Sequence, residues 1–217
     1  MKTLLSRCLL TATCWLLASP AFAIIDVQPK VVDVQQTATS IEIINQGDRP
    51  EYVSINLSRL LNPGAEPSDE QLEPVSQIQE LELYVYPFRL TLAPGQSKRI
   101  RVKPLKTVAQ EQVYRVDIRP VINLLDSKQP DHSGNIVVNL AFSGLIRHRP
   151  AAINSELKVQ CEAQGARLIA TGNSRYWLKG ASVAGQAVDA FNIYPQLPLL
   201  LKGKAVQVPG QATCPGQ

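Results

Sequence analysis

From residue 24 to residue 148 the chain alternates apolar and polar positions, and no helical period is sustained over three turns. The alternating or β-branched runs cover residues 24–34, 40–45, 51–61, 81–86, 98–103, 112–121 and 135–148. Turn-forming clusters separate them: Gln46-Gly47-Asp48-Arg49-Pro50, Asn62-Pro63-Gly64, Ala93-Pro94-Gly95 and Pro130-Asp131-His132-Ser133-Gly134. Seven short strands in about 125 residues predict an immunoglobulin-like β-sandwich. Residues 68–78 are charged and polar enough to predict a short helix or a loop.

Arg149-Pro150-Ala151-Ala152 closes this block, because a proline cannot continue a strand ladder. Beyond it the pattern is weaker and richer in glycine, with strand candidates at 156–160, 166–171, 181–188 and 204–208. The remaining length is short for a complete second sandwich, so a small C-terminal β domain is expected over 150–217, following an N-terminal domain over 24–149.

The last strand of the first block is unusual in its pattern. Ile136, Val138, Leu140 and Phe142 form one apolar set, Val137, Asn139, Ala141 and Ser143 a partly apolar second set, and Arg147 follows closely. In an ordinary sandwich the larger set points into the domain's own core. Alternatively, the smaller set faces the core and the larger one is displayed, so that one strand serves two bodies. The alternation leaves both arrangements open.

The N-terminus changes the picture of where the protein works. Lys2 and Arg7 precede an apolar stretch ending in Ala21-Phe22-Ala23, the n-region, h-region and small-residue cleavage pattern of a secretory signal peptide over residues 1–23. The apolar run is shorter than the ~20 residues a bilayer span requires, so a chain exported from the cytoplasm and starting near Ile24 is expected, not one embedded in a membrane.

Of four cysteines, Cys8 and Cys14 fall in the signal, leaving Cys161 and Cys214. An isolated pair in an exported chain predicts a disulfide tying the C-terminus back to the start of the second domain. Lys and Arg total 22 against 18 acidic residues, and the signal removes two of the cations. The resulting charge of about +2 gives no reason to expect a nucleic-acid partner.

Candidate chemistry is sparse. The only histidines, His132 and His148, have no cysteine or carboxylate cluster beside them, and there is no phosphate loop, HExxH or nucleophile elbow. Neither an enzyme nor a cofactor or metal is expected. What remains is interaction with other proteins.

Five local patterns then occur in a familiar order: Asn45–Val53 (NQGDRPEYV), Arg59–Gly64 (RLLNPG), Leu83–Leu90 (LYVYPFRL) leading to Ala93–Arg101 (APGQSKRIR), Val113–Val121 (VYRVDIRPV) and Val138–Pro150 (VNLAFSGLIRHRP). In these the chain resembles the periplasmic pilus chaperones of the PapD-like superfamily, and more closely the alternate branch serving colonisation-factor fimbriae. The resemblance implies two immunoglobulin-like β-sandwich domains in a boomerang arrangement, the second being small here. It implies a chaperone that binds pilus subunits, pilins and tip adhesin alike, by donor-strand complementation and delivers them to an outer-membrane usher. Self-association of the free chain also occurs in such families.

The resemblance also assigns residues. Register from Arg149-Pro150 places Ile136, Val138 and Leu140 on the family's donor positions, with Phe142 following on the same face. The family grips the C-terminal carboxylate of its client with two basic residues. The position that holds lysine in the PapD branch is Leu145 here, so Arg147, two residues on, becomes the expected anchor. Lys30 is the candidate first-strand partner, with an ordinary exposed strand lysine as its other reading. Arg149 matches a position supporting the interdomain contact. Two alternatives compete with the chaperone: a pilus-associated subunit, and an exported immunoglobulin-like binding module whose Ile136–Phe142 set is simply core.

Overall fold

The computed structural model describes residues 24–121 and 141–216, and all its regular elements are strands apart from two single 3-10 turns at Pro67–Asp69 and Val75–Gln77. The predicted signal residues therefore lie outside the described residues, as do Ile136, Val138 and Leu140. The first unit contains β1 (Ile25–Gln28), β2 (Val31–Val34), β3 (Thr39–Asn45), β4 (Glu51–Leu60), β5 (Leu72–Pro74), β6 (Leu83–Tyr86), β7 (Arg89–Leu92), β8 (Ser97–Pro104), β9 (Gln112–Pro120) and β10 (Phe142–His148). One sheet has the order β1-β3-β8-β6; the facing sheet runs β2-β10-β9-β4-β5, with β7 also paired to β4.

Alternation decides which side chains fill the space between the sheets. Ile25, Val27, Ile41, Ile43, Leu83, Val85, Ile100 and Val102 come inward from one sheet, and Val32, Val34, Val53, Ile55, Leu57, Tyr114, Val116, Ile118 and Ile146 from the other, all buried in one cluster. Asn45 occupies the same inward row and is fully buried. Its Nδ2 donates to the carbonyls of Arg49 (2.7 Å), Leu92 (3.1 Å) and Ala93 (3.2 Å), and its Oδ1 accepts from the amide of Gly47 at 2.9 Å. The first of the turn clusters is thus built on one buried amide whose polar atoms are satisfied.

The first predicted strand is split in two. A break at Pro29 sends β1 to pair with β3 while β2 crosses to the opposite sheet and runs parallel to β10. This crossing puts the carbonyl of Lys30 against β10, where it accepts from the amide of Leu145 at 2.9 Å. Gly144 makes room for it: a Cβ there would stand 3.0 Å from Cγ1 of Val116 and 3.2 Å from the Lys30 oxygen. The predicted helix or loop at 68–78 is a third solution, the short edge strand β5 between the two 3-10 turns. Among the described residues no helix is long and apolar enough to cross a membrane.

Residues 157–214 build a second, smaller core from Ala166, Leu168, Ala170, Leu178, Ala181, Ile193, Val206, Val208 and Cys214. Its strands are β11 (Leu157–Glu162), β12 (Gly165–Ala170), β13 (Tyr176–Leu178), β14 (Ser182–Val183), β15 (Gln186–Ala187), β16 (Phe191–Ile193) and β17 (Leu199–Lys202). They form a β11-β12-β17 sheet and two strand pairs, β13-β16 and β14-β15. The Cys161–Cys214 disulfide is formed. The strand expected at 204–208 is instead a segment held by isolated bridges from Gln207 to Ser182 and from Val206 to Cys214.

His148 ends β10 on the core side with no exposed surface, and neither ring nitrogen has a partner among the described residues. Burial lowers its pKa, outweighing the raising effect of the Glu82 charge. The unfolded chain therefore takes up a proton near pH 6.5 that the folded chain resists, so stability is full above that pH and falls as pH drops below it. Replacement of this ring removes the effect. His148→Leu is expected to flatten the stability curve between pH 7 and 5, read as denaturant midpoints across that range; a slope equal to wild type would contradict the assignment.

Candidate functional site

On the outward face of the second sheet the parallel register sets Arg147 of β10 beside Asp33 of β2, and Leu145 beside Val31. Arg149 follows one step beyond the strand, its amide donating to the carbonyl of Val34 at 2.8 Å. Alternation thus brings two guanidinium groups, one from β10 and one just beyond its end, to one carboxylate of the neighbouring strand. The distances are 3.2 Å from Arg149 Nη1 to Asp33 Oδ2 and 3.7 Å from Arg147 Nη1 to Asp33 Oδ1.

A third guanidinium arrives from the second unit. Arg175 Nη2 is 3.7 Å from Asp33 Oδ2, while its Nη1 lies 2.9 Å from Oε1 of Glu111. Glu111, ahead of β9, has no exposed side-chain surface. It accepts from the Ser174 hydroxyl and from the Arg175 amide at 3.0 Å. A buried carboxylate is tolerated when each oxygen is bonded and a cation neutralises it, and here the second unit supplies both the donors and the cation. The amide of Glu111 in turn donates to the carbonyl of Asn173 at 2.8 Å.

An apolar patch completes this junction. Leu60 and Val113 of the first unit are buried with Tyr194 of the second, and Leu145 and Leu197 pack against them. Burial pushes the Tyr194 hydroxyl upward in pKa, with the interaction of that hydroxyl with Arg147 pulling partly the other way. Leu145, standing where the PapD branch has lysine, is therefore occupied in a contact between the units, and its apolar character has a structural cause. Beside it Arg115 is held by Glu70 in an ion pair whose hydrogen bonds raise the arginine's pKa. Arg115 is thus a strand residue already neutralised.

The electrostatic balance of the junction favours an anion. Arg147, Arg149 and Arg175 bring three positive charges to two negative ones, Asp33 and Glu111. Moreover, the Nε atoms of Arg147 and Arg149 are buried and without a partner among the described residues. Guanidinium groups have donors only, so the site is short of acceptors as well as of negative charge.

Of the residues singled out in the sequence, Arg147 and Arg149 meet at Asp33. Among the described residues the side chain of Arg149 bonds within the first unit, to Asp33, which Arg175 of the second unit also approaches. Lys30 is exposed one residue ahead of β2; its carbonyl meets β10, and register gives the place beside Arg147 to Asp33. Phe142 is partly buried and packs against the first unit's own core, in phase with Gly144 and Ile146. Asp33, Glu111, Arg175 and Tyr194 were not singled out from the sequence. The alternation of Val32 and Val34 puts Asp33 outward, but nothing local marks Arg175 or Tyr194.

A family model described as the CS5 fimbrial protein N-terminal domain matches residues 26–146, which span both sheets of the first unit and most of β10. The chain belongs to this family. It is 30% identical over 145 residues to a CS1 fimbrial subunit of Escherichia coli, and the match covers 65% of this chain and 60% of that protein. It is 26% identical over 171 residues to a CFA/I fimbrial subunit of Escherichia coli, covering 72% of this chain and 70% of that protein. The chain thus spans less than two thirds of the length of the first of these relatives.

Solved structures share the fold. The class 5 fimbriae chaperone CfaA superposes with a TM-score of 0.66 at 22% identity, over 87% of this chain and 93% of that one. A chain from the chaperone–tip adhesin complex of CFA/I fimbriae biogenesis gives 0.65 at 24% identity, over 82% and 85%.

Proposed function

We propose that this protein is a periplasmic chaperone that captures fimbrial subunits through donor-strand complementation and passes them to an outer-membrane usher. The observation that carries the reading is the acceptor-poor arginine cluster at the end of β10, in a chain of a fimbrial protein family. A chain-terminal carboxylate is the anion that such a cluster suits. Binding it at the end of a strand fixes the register of everything that pairs along that strand.

The pairing itself is β-augmentation, in which main-chain hydrogen bonds give affinity and alternate side chains enter the client's groove. Ile136, Val138 and Leu140 are the client-filling residues in this reading, and each contributes roughly 1.5–3 kcal/mol before ordering costs. Phe142 marks where that face changes hands. From there to His148 the even-numbered positions are covered by the chain's own core, and ahead of it the same face is offered to the client. Pilins and a tip adhesin are the clients proposed, and the division at 149/150 separates the capturing domain from its smaller support.

Co-expression tests this directly. A fimbrial subunit produced in the periplasm with this chain should accumulate as a soluble one-to-one complex and be degraded or aggregated without it. Equal recovery of the client in both cases overturns the proposal.

A further inference from the structure

We infer that Asp33 is a resident carboxylate that occupies the anchor of the empty protein and is displaced from Arg147 when a client carboxylate arrives. The inference rests on the carboxylate-anchor reading above and adds a competitor to it. Among the described residues Asp33 is the acidic side chain paired with Arg147, and it is 39% exposed, whereas the Arg147 side chain is 17% exposed. The more exposed partner of the pair is thus the acid, the member that solvent or a ligand reaches more readily.

The three contacts to Asp33 are unequal. Arg149 makes a hydrogen bond at 3.2 Å, while Arg147 and Arg175 stand at 3.7 Å, beyond hydrogen-bonding distance. Arg175 has Glu111 as a second and closer partner. Arg147 has no such alternative carboxylate among the described residues, and its Nε is a buried donor without an acceptor there. The pair that a ligand must open is therefore the loose one. After exchange Asp33 keeps Arg149, Arg175 keeps Glu111, and Arg147, with the Tyr194 hydroxyl as its remaining neighbour, can turn its Nη and Nε donors to the incoming carboxylate, the fork geometry that suits a carboxylate.

Such a resident acid makes the anchor selective. A small anion offers Arg147 little more than Asp33 already does. A client strand adds its main-chain ladder along the donor strand and so outcompetes Asp33. Removing the negative charge should therefore tighten carboxylate binding, not weaken it, because the two ligands compete for one guanidinium. A purely structural role for Asp33, holding Arg147 in place, predicts the opposite sign.

The probe is the synthetic peptide Gly-Ser-Thr-Val-Thr-Val-Thr-Val, made with a free C-terminal carboxylate and with a C-terminal amide, titrated into the full-length mature protein at low salt. The readout is the ratio of the two affinities. Wild type should prefer the carboxylate, and Asp33→Asn should raise that preference about fivefold, with the gain shrinking as salt is added. Asp33→Ser serves if the asparagine variant unfolds, judged by its thermal melt. A preference that is unchanged or reduced in the folded variants overturns the role of Asp33 while leaving the anchor intact. If neither wild type nor variant distinguishes carboxylate from amide, or neither binds the peptide, the carboxylate anchor itself fails.

Discussion

Arg147→Ala is expected to leave the free protein folded and to abolish recovery of its complex with a fimbrial client. The first half follows from the charge balance. Arg147 is one of three guanidinium groups around Asp33, and Asp33 keeps Arg149 at 3.2 Å and Arg175 at 3.7 Å when it is gone. Truncation thus leaves no buried charge unpaired and relieves some repulsion between like charges. Its β10 neighbours, Ile146 and His148, remain in the core.

The second half follows from what a misplaced client would suffer. A charge-assisted hydrogen bond is worth about 1.5–3 kcal/mol, and a carboxylate drawn into the junction without its cation adds a desolvation cost of its own. Losing the anchor also frees the client strand to slip, and a one-residue slip turns its apolar set to the wrong face. Affinity and register are lost together. Co-purification from the periplasm, with circular dichroism of the free variant, checks both halves. A folded variant that recovers the client at wild-type yield would remove Arg147 from the site.

Cys161→Ala combined with Cys214→Ala should have the largest effect on stability, a loss of about 4 kcal/mol in the chain-entropy model for a loop closed across 53 positions. The C-terminal unit has little else to resist this. Its core is built from one three-stranded sheet and two strand pairs of two or three residues each, with alanine at three of nine buried positions. Cys214 is itself fully buried, exchanging backbone hydrogen bonds with Val206 at 2.8 and 2.9 Å. The bond therefore holds the chain end as part of the core.

Denaturant unfolding with and without reductant reads the effect. The reduced or doubly substituted protein should lose its C-terminal unit well before the first unit, whose core does not include either cysteine. Client capture should fall with it, since Arg175 and Tyr194 are presented from that unit. Coincident unfolding of the oxidised and reduced proteins would show that the disulfide contributes nothing to stability.

The periodicity of the first unit was legible because each strand is covered on one face by the opposite sheet. Ile41 and Ile43, or Ile100 and Val102, must alternate with polar neighbours for the sheet to have an inside. The same logic found β9 and β10 but not β5 or β7, which pair with β4 over three and four positions and contain too few residues to show a period. In the C-terminal unit β13, β16 and β17 escaped for the same reason, their lengths being three, three and four residues.

Phe142 shows the limit from another side. An apolar run with two usable faces does not say which face the body of the protein takes, and the phase was set by Gly144, whose missing side chain lets β2 close against β10.

The site divides in the same way. Residue order alone was enough to read an all-β chain and the cysteine pair, because strand alternation and an isolated pair of cysteines are legible along the chain. Packing was needed to put Asp33, and not Lys30, beside Arg147, and to bring in Glu111, Arg175 and Tyr194 from 28 to 47 residues away along the chain. A parallel strand register and a junction between two units are set by contacts over the whole fold. A guanidinium group interacts with whatever carboxylate those contacts bring within 4 Å, and neighbours in sequence carry no record of it.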